Sequence, residues 1–137
     1  MERALSVLVV DDDETIGEMV VWALSDAGYE VRTAPNGAVA LDVLETLQPD
    51  LILLDMRMPV MDGWQFAKAF RERAPRRPVP LVVMTAAQDA ARRASEIAAN
   101  GYLAKPFTIA ELLATAARYH NGGDKAEPSP RGEGSRG

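Results

Sequence analysis

Short, wholly apolar runs alternate along the chain with longer stretches in which apolar residues recur every three or four positions. Val7–Val10, Leu51–Leu54 and Leu81–Met84 contain no polar residue at all. Such runs read as strands buried on both faces. Glu30–Thr33 and Gly101–Ala104 are weaker and complete a set of five. The stretches between them carry helical spacing. Glu14–Ala27 sets Ile16, Met19, Val20, Ala23, Leu24 and Ala27 on one face and stops at Gly28. A second helix runs from Asn36-Gly37 to about Leu47, with Ala40, Leu41 and Leu44 inward and Pro49 as its stop. Gly63–Arg73 turns Phe66, Ala67 and Phe70 inward, and the proline-rich Ala74–Pro80 is a turn. Ala90–Ala99 is an alanine-rich fourth helix, with Ala91, Ala94 and Ala98 around Ile97. Thr108–Tyr119 is the last, opened by a Thr108/Glu111 capping box. From Asn121 onward almost nothing is apolar, which predicts a disordered tail over 121–137 after a folded domain over 1–120.

Apolar strands separated by helices imply a parallel sheet covered on both faces and joined by right-handed crossovers. The predicted fold is a doubly wound α/β domain with a five-stranded parallel sheet, flavodoxin-like, (βα)5. A chain of 137 residues with 47% apolar and 26% charged residues suits one globular domain. No run approaches a membrane span, and the first strand begins almost at Met1, so neither a membrane segment nor a signal peptide is expected. The absence of cysteine excludes thiolate metal sites and accords with a cytoplasmic protein. A net charge of -5 without a basic stripe argues against nucleic acid as a partner. The one histidine, His120, ends the last helix, a poor place for a catalytic base.

The chemistry gathers at the carboxyl ends of the strands, where open α/β sheets bind ligands. The first strand ends in Asp11-Asp12-Asp13 and the third in Asp55. The fourth ends in Thr85, and the fifth is followed by Lys105-Pro106. Neighbouring carboxylates repel one another unless something positive lies between them, and a hard cation such as Mg2+ takes carboxylate oxygens. A solvated helix N-terminus is the plainer account of such acids, and for Asp13 it is the preferred one, as an N-cap. Thr85 could equally make a local turn, Lys105 could be a solvated loop lysine, and Tyr102 could be core.

Four segments together resemble the receiver domains of bacterial response regulators. They are Val9-Val10-Asp11-Asp12, Asp50 through Gly63 with its Asp55-Met56-Arg57-Met58-Pro59 centre, Met84-Thr85-Ala86, and Gly101 through Phe107 with its Lys105-Pro106. The resemblance covers Leu5 to His120. It implies that Asp55 accepts a phosphoryl group from a phosphohistidine of a sensor histidine kinase or a histidine phosphotransfer protein. It further implies that Mg2+ is held by Asp12 and Asp55 directly, by Asp11 mostly through water, and by the Arg57 backbone carbonyl. Lys105 and Thr85 would contact the phosphoryl group, Tyr102 would be the aromatic that changes position, and Lys105-Pro106 would be a cis bond. Such a domain is a switch with only self-phosphorylating and self-dephosphorylating chemistry. If the chain is complete, its signal leaves by protein–protein contact or phosphorelay, to a downstream target the residues do not name.

Two features depart from the resemblance. Thr85 to Tyr102 is about two residues short, which leaves a fourth helix of roughly two to three turns. Ala98 stands where such domains usually end that helix with glycine. Other classes fit less well. A phosphatase of haloacid-dehalogenase type needs a second acid two positions after its aspartyl nucleophile, and Arg57 is there. A flavin carrier needs a Ser/Thr/Gly phosphate loop after the first strand, where this chain has acids. A degenerate receiver acting only as a docking module would not need the full acidic set. Finally, Val21 and Trp22 point away from the core face of the first helix with Glu18 and Ser25. They form either a tryptophan lying flat on its neighbours or a docking patch.

Overall fold

A computed structural model describes residues 5–73 and 78–120 of the chain. The expectations for 1–4, for Ala74–Arg77 of the proline-rich turn and for the tail over 121–137 lie outside the described residues. Five strands form one parallel sheet: β1 (Ser6–Val10), β2 (Glu30–Ala34), β3 (Leu51–Asp55), β4 (Leu81–Ala86) and β5 (Gly101–Lys105). Their order is β2-β1-β3-β4-β5, so the sheet is doubly wound and flavodoxin-like. The helices are α1 (Glu14–Asp26), α2 (Gly37–Val43), α3 (Gly63–Glu72), α4 (Ala87–Glu96) and α5 (Ile109–His120). None among the described residues is long and apolar enough to cross a membrane.

Strand periodicity explains why the central runs are apolar throughout. Alternate side chains go to opposite faces, so each strand feeds two cores. Leu8, Val10, Ile52, Leu54, Leu81 and Val83 pack with Phe66 and Phe70 of α3. Val7, Val9, Leu51, Leu53, Val82 and Met84 pack with Val20 and Leu24 of α1 and Leu112 of α5. β2 lies at the edge, and its Glu30, Arg32 and Thr33 are exposed.

Helix ends follow their caps. The Asp13 carboxylate accepts from the Thr15 and Ile16 N–H groups at 3.0 and 3.2 Å, so it is the N-cap of α1. Gly28, at φ 100°, follows the C-cap Ala27, which is exposed rather than core-facing. Thr108 and Glu111 close the reciprocal box before α5.

Two helices differ from their sequence reading. α2 stops at Val43 instead of Leu47, because its end tightens into i→i+3 bonds: Glu45 N–H to Asp42 at 3.1 Å and Thr46 N–H to Val43 at 3.1 Å. α4 spans Ala87–Glu96 instead of Ala90–Ala99 and buries Ala90 and Ala94, with its C-cap Ile97 buried beside them, while Ala91 and Ala98 are exposed. It ends where Ala98 takes φ 52° and the Ala99 N–H reaches back to the Ala94 carbonyl at 2.8 Å. That left-handed position crowds a Cβ, which glycine lacks. Ala98→Gly should therefore stabilise the protein by about 0.5–1 kcal/mol, read as a higher urea midpoint with unchanged slope. A lower midpoint would refute the strain.

Candidate functional site

Register alone assembles the site. β1 and β3 pair Val10 with Leu54, so Asp11 and Asp55 leave the sheet side by side. β3 and β4 pair Asp55 with Met84, which puts Thr85 one step beyond the carboxylate. β4 and β5 pair Ala86 with Lys105, so the lysine emerges at the same edge. Carboxylate oxygens of Asp11, Asp12 and Asp55 come within 4.8 Å of one another. Asp11 and Asp55 are each 7% exposed, whereas Asp12 is exposed.

Lys105 compensates the acids. Its Nζ donates to Asp11 Oδ2 at 2.8 Å and lies 3.5 Å from Asp55 Oδ1. Backbone N–H groups help as well: Asp13 N–H donates to Asp11 Oδ1 at 2.9 Å, and Arg57 N–H donates to the Asp55 carboxylate. These do not balance Asp55. Burial first, and the Asp11 charge second, push its carboxyl pKa up to about 6 against the lowering effects of Lys105 and the Arg57 N–H. Burial by itself would lower the Lys105 ammonium, but its bond to Asp11 and the charges of Asp55 and Asp11 outweigh that and raise its pKa. The three carboxylates Asp11, Asp12 and Asp55, whose charge one lysine only partly offsets, make a donor set that suits a hard cation such as Mg2+.

The other named residues fall in different surroundings. Thr85 is buried at the end of β4. Tyr102 is 52% exposed, so its ring is not core. The Lys105–Pro106 bond is cis. Trp22 is 62% exposed and Val21 is half-buried. Both line a groove that leads along α1 to Asp11, Asp12 and Asp13.

The support beneath Asp55 is the turn and helix entry at Asp62-Gly63, which the residue types already suggest. Asp62 caps α3 in a reciprocal box with Gln65, and the Gly63 N–H donates to the Met56 carbonyl at 3.0 Å. A Cβ on Gly63 would lie 2.7 Å from Met56 Cα and 2.9 Å from the Asp55 carbonyl oxygen, so only glycine lets α3 press on this loop. Asp62 followed three residues later by Gln65 is a legible cap signature. The two backbone donors to Asp11 and Asp55 have no side-chain signal.

Known proteins resemble this chain in sequence and fold. The E. coli (strain K12) DNA-binding transcriptional regulator NtrC is 42% identical over 120 residues, which cover 86% of this chain and 25% of NtrC. The response regulator MprA of Mycobacterium sp. (strain KMS) is 37% identical over 110 residues, 79% of this chain and 47% of MprA. The chain therefore spans about a quarter to a half of these curated relatives. Among solved structures, the chemotaxis protein CheY4 of Vibrio cholerae superposes with a TM-score of 0.77 at 37% identity, covering 85% of this chain and 98% of CheY4. A signal receiver domain of a histidine kinase from Syntrophus aciditrophicus gives 0.79 at 26% identity, covering 95% of this chain and all of that one. The family model for the response regulator receiver domain matches residues 7–117. With that match over most of the chain, the protein belongs to the response regulator receiver domain family.

Proposed function

We propose that this domain is a phosphoacceptor switch in which Asp55 takes a phosphoryl group from a phosphohistidine of a sensor histidine kinase or histidine phosphotransfer protein. The observation that carries this is the buried Asp55 carboxylate beside Asp11, with the Lys105 ammonium 3.5 Å away. A carboxylate oxygen attacks phosphorus as the P–N bond to imidazole breaks, and the electron pair leaves on the imidazole nitrogen. Positioning and charge neutralisation supply most of the rate, because little other covalent chemistry is needed.

Asp11, Asp12, Asp55 and the Arg57 backbone carbonyl would hold Mg2+. When bound, that ion adds positive charge beside phosphoryl oxygens. Lys105 contributes a second positive point and the Thr85 hydroxyl a hydrogen bond. The phosphorylated state then signals through Thr85 and Tyr102 by protein contact or phosphorelay. Incubation with acetyl phosphate and Mg2+ should add one phosphoryl mass that hydroxylamine discharges. A label that survives hydroxylamine, as on serine or threonine, would refute the acyl phosphate.

Val21 and Trp22 supply the docking contact for the histidine donor in this reading. Their groove reaches Asp11 and Asp12, whose carboxylates cluster with that of Asp55, so a donor seated there would bring its phosphohistidine toward the acidic site. Trp22→Ala should slow transfer from the phosphohistidine partner by about tenfold, a hot-spot loss, while acetyl phosphate labelling stays unchanged. Equal transfer rates would remove Trp22 from the interface.

A further inference from the structure

α4 is held unevenly. It follows β4 without a loop, since Ala86 ends the strand and Ala87 opens the helix. Its N-cap, Ala86, offers no side-chain hydrogen bond. The far end is tied to α3 by side chains. The Trp64 indole N–H donates to Glu96 Oε1 at 2.8 Å. Arg93 Nη1 donates to the same carboxylate at 3.3 Å, and its guanidinium lies 5.1 Å from the centre of the Trp64 ring. Arg71 of α3 donates to the Ile97 carbonyl and, at 3.2 Å, to that of Ala98. The Trp64 bond, with help from Arg93, also holds the Glu96 carboxyl below its ordinary pKa, which keeps it charged.

Both sides of this tie lead back to the phosphoacceptor. Trp64 follows Gly63, which is bonded to the Met56 carbonyl and fixed by the Asp62/Gln65 box. Glu96 closes a ten-residue helix whose first turn continues directly from Thr85-Ala86. A shift of Thr85 toward a phosphoryl group on Asp55 therefore moves the first turn of α4. A rigid helix passes that motion to its other end, against Trp64. The closed tie is not fully satisfied: Arg93 Nε is buried with no hydrogen-bond partner among the described residues.

Resting on the phosphoacceptor reading, we propose that Trp64, Arg93 and Glu96 form a latch that holds α4 against α3 in the unphosphorylated domain and opens when Asp55 is loaded. Loading and the closed latch then oppose one another, so weakening the latch favours the loaded state by the same factor. Exposed ion pairs and hydrogen bonds of this kind correspond to about a twofold to fivefold bias.

The test uses the full chain labelled with 15N and loaded with beryllium fluoride and Mg2+. Its two tryptophans give two indole N–H signals, assigned with Trp64→Phe. The Trp64 signal should move on loading toward its position in Glu96→Ala, and in Glu96→Ala it should hardly move. Glu96→Ala should bind beryllium fluoride about twofold to fivefold more tightly, with Glu96→Gln in between. Glu96 is at a helix end on the surface, and Arg71 still holds α4, so both variants keep the fold. If loading shifts signals around Thr85 and Lys105, and Asp55→Asn abolishes those shifts, an unmoved Trp64 signal overturns the latch. Unchanged or weaker binding in both variants overturns it too. No loading of the wild type would overturn the phosphoacceptor reading, and the latch with it.

Discussion

Asp55→Asn should reduce acyl-phosphate formation at least about a hundredfold and, in the same tube, make the metal-free protein more stable. The first effect follows from exchanging a carboxylate nucleophile for an amide. The second follows from the buried charge. Asp55 titrates near 6 in the fold against an ordinary 3.8, so the folded state binds its proton more tightly than the unfolded chain does. Its contribution to stability is therefore fully present below pH 3.8 and is lost as pH rises through 6. At pH 7 the ionised carboxylate costs about 1–2 kcal/mol, after allowance for screening by solvent and Lys105. Asparagine has no charge to bury and recovers that amount. Urea melts at pH 7 should show the gain, and melts near pH 4, where wild-type Asp55 is already protonated, should show much less. Equal differences at both pH values would mean that the charge is not the cause.

Mg2+ should raise the stability of the wild-type domain by about 2.7 kcal/mol at a hundredfold excess over its dissociation constant. For a domain of this size that is a rise of about 10 °C in melting temperature. Asp11→Ala and Asp12→Ala should each remove most of the rise, because each deletes one carboxylate from the cluster. Protons compete for the same oxygens. Below about pH 6, where Asp55 takes up its proton, the Mg2+-induced rise should shrink steadily, and above pH 7 it should level off. Coincident melts with Mg2+ and with chelator at pH 7.5 would exclude the cation site.

Most of the fold was legible because β1, β3 and β4 are buried on both faces and leave no competing pattern. The acids were legible because each stands at the end of such a run. The reading weakened where the sequence is degenerate. From Ala86 to Ala99 nearly all apolar positions are alanine, so alanines alone mark more than one face; the polar positions carry the helical period that phases α4. The start of α4 and its inner residue Ala90 were set by packing under the sheet. The end of α2 depended on backbone bonds that leave no side-chain trace. At the site, residue types identified Lys105 as a cation, but only the fold shows that it bonds Asp11 more closely than Asp55. Tyr102 was ambiguous because one aromatic on an edge strand fits either a core or a surface position.

The direct passage from β4 into α4 also fixes the length of the chain there. One added residue between Ala86 and Ala87 would turn the helix by about 100°. The stripe Ala90, Ala94 and Ile97 would rotate off the sheet, and polar neighbours such as Arg93 would swing toward it. Junctions beside ligand sites in α/β domains ordinarily vary in length, since loops there tolerate insertion. In this chain the junction has no slack, so an insertion there would carry a cost that the loops after β1, β3 and β5 do not impose.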